Sequence, residues 1–125
     1  MKTIIASKKA PGAIGPYSQA CVHGGVIYVS GQLPLDPTSG KPVSGTVGEQ
    51  TTKVLENIKA IVEEAGSNMG NILKCTVLLT DMVNFTHMNE AYAKFFPENP
   101  PARIAYEVSV LPLGADVEID AICAV

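Results

Sequence analysis

The chain has no tryptophan, four tyrosines and three phenylalanines. A protein that binds single-stranded nucleic acid by stacking bases on aromatic platforms needs more. Positive charge is also scarce: nine Lys and Arg against twelve Asp and Glu leave a net charge of −3. No basic tail or cluster is there to follow a phosphate backbone, so nucleic acid is not expected as the main partner. Long apolar runs are missing. No stretch approaches the roughly 20 residues of a membrane helix, so no membrane partner is expected. The start, MKTIIASKK, lacks the apolar segment and cleavage site of a secretory leader. Cysteine is limited to Cys21, Cys75 and Cys123, odd in number and widely spaced. They build neither a disulfide framework nor a CxxC zinc half-site. They read as small buried hydrophobes in a reducing compartment, and a cytoplasmic location is expected. The two histidines, His23 and His87, have no spaced ligand partner, which argues against a metal site. There is no Walker A loop, no GxGxxG and no nucleophile elbow.

What the chain does have is apolar patterning. With 125 residues and 46% hydrophobic content, it is long enough to bury a core, and one domain spanning 1–125 is expected. Lys2 to Ala6 reads as a short strand. APGAIGP at 10–16 must be a loop, and it delivers Tyr17 to the next strand. Gln19–Val22 and Val26–Ser30 flank His23-Gly24-Gly25, a hairpin signal; the second strand ends at Ser30-Gly31-Gln32. Residues 33–44 form a Pro/Gly/Ser/Asp loop. Thr46 to Ala65 is the strongest helix. Thr46 and Glu49 have capping-box spacing, and Val54, Leu55, Ile58, Ile61 and Val62 lie on one stripe, with Gly66 as the stop. Ile72–Thr80 is a strand rich in Val, Leu and Thr. A second helix runs from about Phe85 to Phe96, where Pro97 stops it. Asn89 is a polar residue on its apolar face.

The last quarter of the chain forms two strands. In the first, Ile104, Tyr106, Val108 and Val110 alternate with Arg103, Ala105, Glu107 and Ser109. In the second, Val117, Ile119, Ala121 and Cys123 alternate with Asp116, Glu118 and Asp120. A period of two puts each apolar set on one face. If both sets face the core, Ile104 points inward, while Arg103 and Glu118 share the other face. That face also carries Ala105, Ile122 and Ala124. It is half apolar, and two helices can cover only one side of such a sheet, so a partner subunit is expected on the other. Arg103 reads either as a surface arginine paired with Glu107 or Asp120 or as a bidentate clamp for a carboxylate. Glu118 reads either as a solvated carboxylate or as a group that holds and deprotonates a water. On the residues alone, a small-anion site is the reading.

Five segments together resemble one known family over the full length: APGAIGPYSQA at 10–20, VSGQLPLDPTSG at 29–40, ENIKAIVEEAG at 56–66, MNEAYAKFF at 88–96 and PARIAYEVSVLPLGADVEIDA at 101–121. The chain is similar to the Rid family, also called YjgF or L-PSP, the reactive intermediate deaminases. The resemblance implies an α+β, chorismate-mutase-like (YjgF) fold: a mixed six-stranded sheet with two helices packed on one face. Its core strands would be ordered 1-4-2-3, the last antiparallel to the others. It implies a homotrimer with clefts between subunits. It also implies hydrolysis of 2-imino acids, such as 2-iminopropanoate and 2-iminobutanoate, to 2-oxo acids and ammonia, without a cofactor. The imines and their enamine tautomers come from pyridoxal-phosphate-dependent dehydratases. Carried over by position, Arg103 would bind the substrate carboxylate and Glu118 would activate water. Tyr17, Ser30, Gly31, Asn89 and Ala105 would line the cleft. Ala105 stands where some members carry cysteine, and Ile104 stands where the family has a smaller residue. The alternatives are a ribonuclease or translation inhibitor, and a non-catalytic metabolite-binding protein.

Overall fold

A computed structural model describes residues 1–125. Six strands and two helices follow in the order β1 (Thr3–Ile5), β2 (Ala20–His23), β3 (Val26–Gln32), α1 (Val47–Glu64), β4 (Ile72–Leu79), α2 (Phe85–Ala93), β5 (Ala102–Glu107) and β6 (Val117–Ala124). The strands form one mixed sheet, ordered β1-β2-β3-β6-β4-β5. From β3 onward this is the expected first-fourth-second-third order. β6 runs antiparallel to both its neighbours, and β4 and β5 run parallel.

The local rules explain most elements. Gly24 and Gly25 turn the β2–β3 hairpin with φ of +60° and +77°, where a Cβ would be strained. The Thr46 hydroxyl accepts from the Glu49 backbone N–H, and the Glu49 carboxylate accepts from the Thr46 N–H, so both halves of the capping box close on α1. Val54, Leu55, Ile58, Ile61 and Val62 of α1 are fully buried against Ile27, Val77, Val117 and Ile119 of the sheet. Burying each such side chain stabilises the fold by about 1.5–3 kcal/mol. α2 is shorter than its apolar pattern suggests, ending at Ala93, but it packs beside α1 through Met88 and Tyr92.

Buried polar side chains anchor the loops. The Gln19 amide accepts from Ser7 N (2.6 Å) and donates to Ser7 O (3.0 Å) and Pro11 O (2.9 Å), which fixes the loop that leads to Tyr17. Asn57 on α1 donates to Leu33 O and Leu35 O at 3.2 and 3.0 Å. Gln50 exchanges two bonds with Asp116 at 2.8 and 3.0 Å, just before β6. Each is a satisfied buried amide, so breaking it would leave polar groups unpaired.

The expected facing of the two C-terminal strands is half right. β6 behaves as read: Val117, Ile119, Ala121 and Cys123 are buried, and Glu118 and Asp120 point away from the helices. β5 is inverted. Its parallel register with β4 sets Arg103 beside Cys75 and Ala105 beside Val77, both inward-facing positions. Arg103 and Ala105 therefore face the helix layer, while Ile104 (47% exposed) and Tyr106 (49%) face the open side. Ile104 does not point to the core, and Arg103 and Glu118 lie on opposite faces. Alternation identifies two faces but not which of two apolar environments each one meets.

Candidate active site

A pocket of about 350 Å³ opens on the uncovered side of the sheet, lined by Tyr17, Ser30, Gly31 and Glu118, with Ile14, Leu33 and Pro112 as apolar walls. The β3–β6 ladder breaks register between Val29 and Gln32, so Ser30 and Gly31 sit in an irregularity beside β6. The Ser30 hydroxyl is committed, donating to Ser18 O at 2.6 Å. The Tyr17 hydroxyl accepts from Ile14 N at 3.3 Å, leaving its own proton free. A Cβ at Gly31 would overlap the Glu118 carboxylate, so a larger residue there would displace that side chain from the pocket.

Glu118 is half-buried. Burial pushes its pKa above the ordinary carboxylate range, and the Asp120 carboxylate two residues along the same face adds to the rise. Asp120 accepts from Thr76 N at 3.1 Å, and with Thr76, Leu78 and Gly31 it closes a smaller hollow of about 90 Å³ beside Glu118. A carboxylate held above its ordinary pKa is a stronger proton acceptor once ionised.

Arg103 projects from the edge strand β5 toward α2. Its Nη1 donates to Asn89 Oδ1 at 2.8 Å, and its guanidinium carbon lies 5.5 Å from the Phe85 ring centroid and 4.9 Å from that of Tyr92. The surface-pair alternative does not hold. Glu107 instead accepts from Met82 N at 2.9 Å, Asp120 is bonded to β4, and no carboxylate lies within ion-pair distance of Arg103. The guanidinium is half-buried, fixed by neutral groups, with its charge unspent.

The structure thus gathers Tyr17, Ser30, Gly31 and Glu118 round one pocket and holds Arg103 and Asn89 together elsewhere. Ala105 packs against the main core on the Arg103 side and does not reach the Glu118 pocket. Within one chain β4 lies between β5 and β6. The register sets Glu118 opposite Leu78 and Arg103 beside Cys75. That is about 10 Å along the strand and about 10 Å across it, with the side chains on opposite faces. A separate cleft of about 590 Å³ between the start of α1 and α2 mixes Glu49, Glu90, His87 and Lys94, and holds no candidate residue.

Sequence reasoning missed Ile14, Leu33 and Pro112 as pocket walls, Asp120 as the neighbour of Glu118, and Phe85 and Tyr92 as partners of Arg103. Two of these had a signal. Asp120 is two residues from Glu118 in a strand. Phe85, Asn89 and Tyr92 have the spacing of one helical stripe.

The mixed sheet, its two helices on one face and the arginine and glutamate on strands β5 and β6 place the molecule among α+β proteins of the YjgF/L-PSP type. Residues 7–125 match the family model described as Endoribonuclease L-PSP. A RutC family protein of Pyrococcus abyssi is 50% identical over 121 residues, 97% of this chain and 95% of that one. The human 2-iminobutanoate/2-iminopropanoate deaminase is 47% identical over 122 residues, 98% of this chain and 89% of that one. The crystal structure of YyfA from Yersinia pestis, described as a protein of unknown function of the conserved Rid family, superposes with a TM-score of 0.97 at 44% identity and full coverage of both chains. The chain belongs to the Rid (YjgF/L-PSP) family.

Proposed function

We propose that this protein is a hydrolytic deaminase of small 2-imino acids, working at a cleft completed by a second copy of the chain in a homotrimer. The observation that carries this reading is the separation of two chemically matched halves. An uncompensated arginine suits a carboxylate, and a carboxylate with raised pKa suits a water, yet one chain sets them on opposite faces. Arg103 stands on an edge strand, where an approaching second copy would meet it. The open face of the sheet carries Tyr28, Ile104 and Tyr106, each about half exposed. Such an apolar surface is one that a second copy would cover.

In the proposed reaction, Arg103 grips the carboxylate of 2-iminopropanoate or 2-iminobutanoate. Glu118, ionised, takes a proton from water as the water oxygen bonds to the imine carbon. That proton is passed to nitrogen, giving a carbinolamine. Glu118 then takes the carbinolamine hydroxyl proton and delivers it to the amino nitrogen as the C=O forms and the C–N bond breaks, so ammonia leaves with the 2-oxo acid. Tyr17, Ser30, Gly31, Asn89 and Ala105 serve the site by lining it or by holding its members. The imine is already electrophilic, so orientation and one base are sufficient, with no covalent nucleophile or cofactor. The ribonuclease reading is less well supported: a chain of net charge −3 without tryptophan offers neither a basic track nor stacking platforms.

The test is a serine or threonine dehydratase coupled to this protein, with residual imine trapped by semicarbazide. The wild type should suppress the trapped product. Arg103→Ala and Glu118→Ala should each be inactive alone. After subunit exchange of equal amounts, about a quarter of the sites should be native, because each needs an intact Arg103 from one chain and an intact Glu118 from another. Activity near that fraction supports the shared cleft. No recovery from proven mixed trimers would show that each chain builds its own site.

A further inference from the structure

The groups that hold Arg103 say more than the arginine does. Phe85, Asn89 and Tyr92 stand at i, i+4 and i+7 of α2, so one helical stripe supplies them all. All three act on the same guanidinium, one as an acceptor at 2.8 Å and two as rings at 5.5 and 4.9 Å. None is charged. Arg103 is partly buried, and no carboxylate lies within ion-pair distance of it. Glu107, four residues along the same strand, is engaged at Met82 N, and Asp120 lies on the opposite face at Thr76 N. The rings attract the cation through their π faces and narrow the freedom of a long side chain, without neutralising it. An arginine held in advance loses less entropy when it grips an anion.

Tyr92 adds a second sign of a site whose shape outweighs local satisfaction. It is only 6% exposed, its hydroxyl lies beside the Cys75 thiol, and it forms no proper hydrogen bond. The packing there is organised around the ring, not around its polar tip.

We infer that Phe85, Asn89 and Tyr92 form an uncharged cradle that positions Arg103 and leaves its charge free for a ligand carboxylate, which makes the two rings positioning residues. The inference rests on the reading of Arg103 as a carboxylate clamp, and it is tested by binding rather than by turnover. 2-Oxobutanoate is titrated calorimetrically into the wild type, Asn89→Asp, Tyr92→Leu and Tyr92→Phe, with thermal unfolding measured on each. Asn89→Asp keeps the hydrogen bond and supplies a carboxylate. Its unfolding temperature should hold or rise while binding weakens by at least roughly tenfold. Tyr92→Leu should weaken binding by about 3–30-fold, the range of a partly desolvated cation–π contact, and Tyr92→Phe should recover most of that loss.

Wild-type affinity in Asn89→Asp would overturn the claim that neutrality matters. Wild-type affinity in Tyr92→Leu, or equal losses in Leu and Phe, would overturn the role of the ring. If Tyr92→Leu does not fold, Phe85→Leu, on the half-buried ring, tests the same point. A wild type that does not bind 2-oxobutanoate removes the clamp altogether. If these binding dependences hold in a protein that leaves the imine untouched, the deaminase reading fails and the cradle stands.

Discussion

The two faces of the sheet are built on different principles. The helix-covered face is closed by side chains that are almost all apolar. Where it does hold a charge, at Arg103, the neighbours are two rings and an amide. The open face is looser. Its pocket is shaped by a ladder irregularity at Ser30 and Gly31, by loops anchored from beneath, and by two carboxylates close enough to disturb one another. An arginine can be held ready among uncharged groups because its guanidinium needs no acidic partner to carry its charge. A base must keep access to water, so it belongs on the open face, in a pocket deep enough for burial to raise its pKa. The difference between the faces matches the difference between the proposed tasks, binding and proton transfer.

The largest expected effect comes from exchanging the demands of the two sides. Arg103→Lys keeps the charge but gives up the planar fork and ring stacking. Losing two charge-assisted bonds of roughly 1.5–3 kcal/mol each would lower kcat/KM by about 10²–10⁴-fold, mostly through weaker 2-oxo acid and imine binding. Glu118→Gln keeps the shape and removes the base. Turnover should fall by about 10²-fold or more while 2-oxobutanoate still binds. Calorimetry set beside the semicarbazide assay separates the two. Matching losses of binding and turnover in both variants would abolish the division of labour between faces.

A second pair of variants contrasts the faces as packing surfaces. Ile58→Ala, in the fully buried stripe of α1, should cost about 2–5 kcal/mol in denaturant unfolding wherever the protein assembles. Ile104→Asp, on the open face, should change the stability of an isolated chain by only about 0.5 kcal/mol or less. Its expected effect is on mass in solution, with assembled protein dissociating in analytical ultracentrifugation. If Ile104→Asp left the mass unchanged, the open face would need no second copy to cover it.

The same contrast explains what could be read before the structure was known. The capping box of α1, the double-glycine hairpin and the strand order are local signals or follow from the family resemblance, and each agrees with the structure. The facing of β5 was not legible. Ile104 and Tyr106 form as clean an apolar set as Val117 and Ile119, and period-two patterning carries no sign. Only the parallel register with β4, a non-local fact, turns Arg103 toward α2. The cradle was hidden for the same reason. Phe85, Asn89 and Tyr92 were readable as a helical stripe, but nothing in the chain says which strand residue that stripe meets. The pocket walls Ile14, Leu33 and Pro112 come from three loops, where periodicity says nothing.

The smallest expected effect is a titration that only the open face should show. Glu118 has a pKa raised first by burial and then by Asp120. A carboxyl whose folded pKa lies above its unfolded value binds more protons folded than unfolded in the interval between the two. Stability therefore falls as pH rises through that interval, beginning near the ordinary carboxylate value. At neutral pH the ionised Glu118 is a net cost to the fold, and at low pH the cost disappears. Replacing it by Gln removes the titration while keeping the volume. The unfolding temperature of Glu118→Gln relative to the wild type should therefore increase from about pH 4 toward pH 7. The gain should be a few degrees at most, because the group is half exposed and solvent screens it. Asp120→Asn, which removes the second cause of the shift, should reduce the pH dependence due to Glu118 without abolishing it. A difference between Glu118→Gln and wild type that stays flat, or shrinks toward neutral pH, would mean that Glu118 ionises freely and is not tuned for proton transfer.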